Sequence, residues 1–121
     1  MMPTQRTLVY LREQGYMVGV VERWNQHARI RQDLFGFIDL IYLTPAGIVG
    51  VQVTSASNVS AHIKKIHEEC WVAALGWLAA GGRIEVWGWK KYKKPLDRRY
   101  WRHTIKDITN EEDQPEEASA D

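Results

Sequence analysis

Residues 37–54 read FIDLIYLTPAGIVGVQVT, and this stretch decides most about the fold. Apolar residues occupy both alternating faces from 34 to 43, which is typical of a strand that is covered on both sides. A tight turn is predicted at 44–47 (TPAG), followed by a return strand at 48–54. We therefore expect an antiparallel hairpin.

One carboxylate, Asp39, is unexpected inside this hairpin. It lies among apolar neighbours, where a charge is costly unless it is paired or binds a metal. A four-residue turn pairs Leu43 with Ile48, and the same register places Asp39 opposite Gln52. Thr54 then lies two residues further along the face of Gln52. In the simplest interpretation, Gln52 and Thr54 are polar strand residues that hydrogen-bond to Asp39.

Two other acids are potential partners of Asp39. Asp33 is six residues away, or roughly 20 Å along a straight strand at about 3.3 Å per residue, so sharing a metal requires a bend. Glu22, on a strand predicted at 16–24, is a candidate for adding negative charge beside Asp39. The alternative for Glu22 is a surface pair with Arg23.

The flanking sequence predicts the remaining elements. A helix is expected at 4–14, and a second helix from Ser57 or Asn58 to Gly81-Gly82. Alternation predicts a strand at 83–89, and a further strand is expected at 100–108. The order αβββαβ, with an optional last strand, predicts an α/β fold. Its mixed central sheet has four to five strands, with helices on both faces.

The hairpin and its surroundings resemble a known family. The residues FIDL at 37–40 and VGVQVT at 49–54, after a helix ending in Gly-Tyr and before a helix with lysines, resemble the PD-(D/E)XK nuclease superfamily. Within it, the pattern is similar to archaeal-type Holliday junction resolvases. The resemblance implies a restriction-endonuclease-like core and a Mg²⁺- or Mn²⁺-dependent endonuclease that hydrolyses phosphodiester bonds in DNA, with a structure-specific resolvase as one form.

The resemblance also implies roles for individual residues. In that family an Asp and the acid of an acid-X-Lys motif bind the metal, and the Lys orients or activates water. Asp39 matches the first position, whereas Gln52 and Thr54 stand where the acid and the lysine are expected. An amide oxygen ligates Mg²⁺ but adds no charge. Lys65, preferred over Lys64 on the following helix, is the candidate for the missing lysine.

Three further expectations depend on the same resemblance. Resolvases place a Glu on the first helix, for which Gln5 and Glu13 both remain open. Cutting two strands requires two active sites, so a homodimer is implied. Loss of the acid and the lysine leaves an alternative function, a catalytically inactive nuclease-fold protein that binds nucleic acid. A protein-binding or structural domain is a third option. His62 and His67 are expected at the surface.

Charge is unevenly distributed along the chain. The net charge is +1, yet residues 110–121 contain six acids and no base, so residues 1–109 carry 16 Lys and Arg against nine acids. We expect a nuclease-like domain over 1–109 and an acidic disordered tail over 110–121. The bases concentrate in 83–106, a pattern that fits either a face that binds nucleic acid or an ordinary solvated surface, and we expect a DNA-binding face. The expected contacts are Lys90, Lys91, Lys93, Lys94, Arg98, Arg99, Arg102 and, for base stacking, Trp101.

The rest of the composition bears on location. A single cysteine, Cys70, forms no intramolecular disulfide. The longest apolar run, at 70–80, is far shorter than the ~20 residues that span a bilayer. The sequence therefore predicts a soluble, intracellular, cytoplasmic protein without a membrane partner.

Overall fold

A computed structural model describes residues 1–93 and 99–110, and at 93, 99 and 100 it describes the backbone only. The fold is mixed α/β, with a five-stranded sheet flanked by helices, as predicted. In chain order the elements are α1 (Pro3–Glu13), β1 (Val18–Val20), β2 (Arg23–Asn25), β3 (Ile30–Gln32), β4 (Leu40–Thr44), β5 (Gly47–Ser55), a 3₁₀ turn (Ala56–Asn58), α2 (Val59–Glu69), α3 (Trp71–Ala79), β6 (Arg83–Lys93) and β7 (Arg99–Asp107).

The sheet order is β1-β4-β5-β6-β7. The β5–β6 pair is parallel and the other neighbours are antiparallel, while β2 and β3 form a separate two-stranded ribbon. The hairpin register is confirmed, with Leu43 opposite Ile48 and Thr44 opposite Gly47. The Thr44 hydroxyl closes the turn by donating to the Gly47 carbonyl over 2.9 Å.

Successive side chains of the central strands point to opposite faces of the sheet, and each face has its own hydrophobic core. The first lies between the sheet and α1, and it contains Leu11, Leu40, Tyr42, Val49, Val51, Val53, Trp87 and Trp89. The second lies on the side of α2 and α3, and it contains Phe37, Ile38, Ile66, Ala74, Ile84, Val86 and Ile108. Gln52 is the register partner of Val86, so Gln52 and the adjoining Asp39 lie on the α2 side.

The strand predicted at 34–43 begins only at Leu40. A tight turn precedes it, in which Phe35 (φ +56°) and Gly36 (φ +86°) are left-handed and the Phe37 N–H donates to the Leu34 carbonyl over 3.2 Å. Glycine adopts this conformation without a steric penalty. Phe37 and Ile38 are fully buried in the turn. The apolar run therefore reflects burial and not strand geometry.

The long second helix is also interrupted. It begins after Asn58 as expected and ends before Gly81 (φ +95°), but Cys70 adopts φ −124° and ψ 11° and separates α2 from α3. The Cys70 thiol faces the Gly36 carbonyl at 3.7 Å. The interruption therefore lies where α2 meets the tight turn.

The strand predicted at 16–24 is divided between β1 and β2. The N–H groups of Val21 and Glu22 both donate to the Asp39 carbonyl, over 2.9 and 3.0 Å, and this contact takes the chain out of the sheet. The two C-terminal strands agree with expectation, although β6 continues to Lys93. Most of the tail predicted at 110–121 lies outside the described residues. Within the described part of the chain, no helix has the length and apolar character needed to cross a membrane.

Candidate metal centre

Three carboxylates meet at one end of the hairpin. One oxygen each from Glu22, Asp33 and Asp39 lies within 4.8 Å of the other two. Glu22 lies between β1 and β2, Asp33 follows β3, and Asp39 precedes β4. The cluster thus draws one acid from each of three chain segments, and it contains both Asp39 and Glu22, the candidate for adding negative charge beside it.

The tight turn explains how Asp33 reaches Asp39. Leu34 and Ile38 form an antiparallel bridge, with the Leu34 N–H donating to the Ile38 carbonyl over 2.9 Å. Asp33 and Asp39 are the next residues on the two arms of this bridge. The bend that Asp33 requires to reach Asp39 is therefore present in this turn. The available signal was Gly36, since a glycine inside a strand pattern often marks such a bend.

Asp39 is buried and strongly hydrogen-bonded. Its Oδ2 accepts the Val53 N–H over 2.7 Å and Gln52 Nε2 over 3.0 Å. Burial, a hydrogen bond with Asp33 and the charges of Asp33 and Glu22 raise the pKa of Asp39 to about 8, against the opposing effect of the Val53 N–H. Without a cation, the cluster therefore holds a proton near neutral pH.

Gln52 connects the two aspartates and leaves one atom without a partner. Its Nε2 donates to Oδ2 of Asp33 over 3.3 Å as well as to Asp39. The side chain is 3% exposed, and among the described residues its Oε1 has no hydrogen-bond partner. A buried polar atom left unpaired costs about 1–3 kcal/mol. This oxygen therefore needs a partner that the described side chains do not supply.

The donor set fits a hard divalent cation. Three carboxylates and an amide oxygen are the ligand types that Mg²⁺ and Mn²⁺ prefer. Oxygens on opposite sides of Mg²⁺ lie about 4.2 Å apart, given metal–oxygen distances of about 2.1 Å. The observed spacing of up to 4.8 Å is close to this separation. Small side-chain adjustments would bring the three carboxylates around one ion.

The other predicted catalytic residues lie on β5 and α2. Thr54 is buried on β5, opposite Gly88 of β6. Lys65 is exposed on α2, whereas Lys64 pairs with Glu68 at 3.9 Å. Burial lowers the pKa of His62, the Lys65 charge lowers it further, and Asp33 opposes both. Lys65 and Asp33 therefore both lie close enough to act on His62.

The expectation that the two histidines lie at the surface is wrong. His67 is 4% exposed, and His62 is partly buried. The His62 Nδ1 atom is inaccessible to solvent and has no hydrogen-bond partner among the described residues. Both histidines lie on α2, which covers the second core, and this position accounts for their burial.

The first-helix acid expected from the resemblance is not part of the cluster. Gln5 and Glu13 lie on α1, which packs through Leu11 against the opposite face of the sheet. Glu13 instead lines a groove with Arg6 and Trp101. Glu22 is the acid found beside Asp39 and Asp33.

The residues predicted to bind DNA are divided between two faces. Lys90 is paired with Arg102 and Lys91 with Trp101, so these two pairs point to opposite sides of the β6–β7 hairpin. Arg6 lies over the Trp101 ring at 4.1 Å. Base stacking on Trp101 therefore competes with a cation that is already there. Of the other residues predicted to bind DNA, Lys93 and Arg99 are register partners in the β6–β7 pair. Lys94 and Arg98 lie outside the described residues.

Comparisons of the chain with protein-family models, with curated proteins and with solved structures found no match.

Proposed function

We propose that this protein is a metal-dependent nuclease that hydrolyses phosphodiester bonds in DNA, with a resolvase-like endonuclease as the specific form. One observation carries the proposal. Three carboxylates from separate segments converge within 4.8 Å beside a buried amide oxygen that lacks a partner. The likeness of the hairpin to the PD-(D/E)XK pattern supports the same function.

Four side chains would hold the cation. Asp39, Asp33 and Glu22 supply negative charge, and Gln52 Oε1 supplies a neutral oxygen. Glu22 and Asp33 compensate for the acid that is absent at position 52. Gln52 Nε2 keeps the two aspartates together by donating to Oδ2 of both. When bound, Mg²⁺ or Mn²⁺ supplies an acidified water and neutralises charge at the phosphate.

Two further residues would act on the substrate. Lys65 is exposed on α2, so its ammonium group is free to approach a phosphate and to stabilise the charge that develops there. It takes the role of the lysine that Thr54 replaces. Thr54 offers a hydroxyl on the face of β5 that carries Gln52, where it orients a water molecule by hydrogen bonding.

The test is cleavage of end-labelled junction, fork, duplex and single-stranded DNA with Mg²⁺, with Mn²⁺ or with EDTA. The variants are Asp39→Asn and Asp39→Ala, and Glu68→Gln serves as a control because it removes an acid from the outer surface of α2. We expect metal-dependent products from the wild type and Glu68→Gln. Loss of the Asp39 carboxylate should lower the rate by about 10²- to 10³-fold or more.

Two results would change the conclusion. Retained cleavage by folded Asp39→Asn would exclude this metal centre as the active site. Binding of DNA by the wild type without any metal-dependent product would favour the alternative, an inactive nuclease-fold protein that binds nucleic acid. The resolvase form further requires a homodimer, which light scattering of the purified protein measures independently of cleavage.

A further inference from the structure

The β6–β7 hairpin extends beyond the rest of the sheet. The pairing of β5 with β6 ends at Ser55 and Trp89, whereas β6 and β7 remain paired as far as Lys93 and Arg99. Residues 90–93 and 99–102 therefore form a two-stranded extension, here named the basic ribbon. At about 3.3 Å per residue, the three steps from 90 to 93 extend it by about 10 Å.

The composition of the basic ribbon is unusual. Five of its eight residues are basic and the other three are aromatic, with no acid and no aliphatic residue. They are Lys90, Lys91, Tyr92, Lys93, Arg99, Tyr100, Trp101 and Arg102. An isolated two-stranded hairpin is only marginally stable, and like charges directly opposite each other destabilise it further. Lys90 and Arg102 are such a register pair, so both cationic side chains lie on the same face of the ribbon.

The base of the ribbon is held firmly on the α1 side. Trp89 Nε1 donates to the Thr7 hydroxyl over 2.8 Å, and His103 stacks on Trp87 with ring centroids 4.7 Å apart. Arg6 lies over the Trp101 ring. These contacts orient the ribbon before any partner arrives, so less ordering entropy is lost when it binds.

The opposite face of the ribbon carries two of its five bases, Lys90 and Arg102, beside one aromatic ring. The Lys90 Nζ lies 5.3 Å from the centroid of the Tyr92 ring, and the Arg102 guanidinium lies 5.6 Å from it. A Cβ atom added to Gly88 would lie 2.4 Å from Val59 Cγ2 and 2.8 Å from the Ala56 Cα, so the start of α2 covers the sheet there. Lys90 is the next residue on this face, where the covering ends.

We propose that the basic ribbon binds duplex nucleic acid by entering a groove, with Lys90 and Arg102 contacting phosphates on the side of the metal centre. A two-stranded ribbon fits the major groove, which is about 12 Å wide and about 8.5 Å deep. The position of the cut relative to the ribbon depends on the proposed function.

The ribbon lies within reach of the metal centre along the duplex. Lys90 is four residues beyond Val86, the register partner of Gln52, which corresponds to about 13 Å along β6. Base pairs are stacked about 3.4 Å apart, so this length corresponds to about four base-pair steps. A duplex held by the ribbon therefore passes close to Asp39 and its neighbours.

The test is fluorescence anisotropy in EDTA, with labelled duplex DNA and a single strand of the same length. The ribbon variant is Lys90→Ser with Arg102→Ser. The matched control, Arg12→Ser with Arg29→Ser, removes two exposed bases outside the ribbon. Thermal melting confirms that both variants are folded.

We expect the wild type and the control to prefer duplex over single strand. The ribbon variant should lose that preference, and its slope of log affinity against log salt for the duplex should decrease by about 1.8, or about 0.9 per phosphate contact. The inference is overturned if the wild type does not bind duplex, if ribbon variant and control bind it equally, or if the ribbon variant loses duplex and single-strand binding to the same extent.

Binding is measured without metal, so the two proposals fail separately. Duplex binding through the ribbon without cleavage contradicts only the nuclease function. Metal-dependent cleavage with unchanged binding by the ribbon variant contradicts only the ribbon.

Discussion

Gln52 donates a hydrogen bond from Nε2 to the Oδ2 atom of Asp39 over 3.0 Å. The amide at position 52 is thus a donor to the neighbouring carboxylate. An amide in this position stabilises the cluster of acids when no cation is present, because its NH₂ group donates to two carboxylate oxygens and adds no negative charge. A carboxylate in its place would add to the repulsion.

Gln52→Glu should make the fold strongly dependent on metal. The change removes the donor to Asp33 and Asp39 and introduces a fourth buried acid, so we expect a loss of about 1–3 kcal/mol or more in EDTA. Mg²⁺ or Mn²⁺ should raise the melting temperature of this variant more than that of the wild type. Gln32→Glu, in the β2–β3 ribbon, is the control for the charge change. Equal metal-induced shifts in wild type and Gln52→Glu would contradict a metal at this cluster.

Asp39 should make the metal-free protein less stable as the pH rises. Its pKa is raised from 3.8 to about 8, so the folded state retains a proton that the unfolded state releases. The stabilising contribution of that proton is complete below about pH 4 and is lost as the pH rises to about 8. We expect the melting temperature in EDTA to fall over this range more steeply for wild type than for Asp39→Asn. Parallel pH profiles for the two proteins would contradict the raised pKa.

Gly36→Ala should weaken both the fold and metal binding. Gly36 has φ +86°, and a Cβ there would lie 3.2 Å from the Cys70 thiol. A left-handed residue other than glycine costs roughly 1–2 kcal/mol. If the turn opens, Asp33 moves away from Asp39, so affinity for Mn²⁺ measured by calorimetry should fall. Gly19→Ala is the control, since nothing lies within 4 Å of its added Cβ. Equal metal affinity in the two variants would contradict the role of the turn.

Lys65→Ala should reduce cleavage without affecting metal affinity. A lysine that stabilises charge at the phosphate contributes about 10²-fold or more to the rate. Lys64→Ala, one residue away and paired with Glu68, should retain wild-type activity apart from a small change in stability. The measurement is the single-turnover cleavage rate of both variants on the preferred substrate. Equal rates for Lys65→Ala and the wild type would remove Lys65 from the proposed site.

The sequence predicted the hairpin and the start of the second helix because local signals specify both. The turn at 44–47 fixes the register that brings Asp39 to Gln52, and this register is confirmed. The acid cluster was only partly predictable. Phe37 and Ile38 are apolar because they are buried, and burial looks the same in a strand and in a turn. An aromatic residue at Phe35 gives no indication of a left-handed backbone.

The division of the bases of the basic ribbon between its two faces was predictable in principle. Neighbouring residues of a strand point to opposite sides, so Lys90 and Lys91 had to separate once β6 continued beyond Trp89. The length of β6 was not evident, because Lys90 to Lys93 interrupt the apolar alternation that marks the earlier part of the strand. Continued pairing with β7 extends it.

The position of β7 at the end of the sheet order has a consequence for solubility. An end strand offers unpaired backbone groups to other molecules, and charged side chains on it oppose edge-to-edge aggregation. Ile105 is 46% exposed on β7, and the same strand carries the exposed bases Arg102 and Lys106. The positive charge of these bases thus opposes pairing of β7 with a second copy of the chain. A variant without these bases should precipitate at concentrations at which the wild type stays in solution, and this effect does not depend on any ligand.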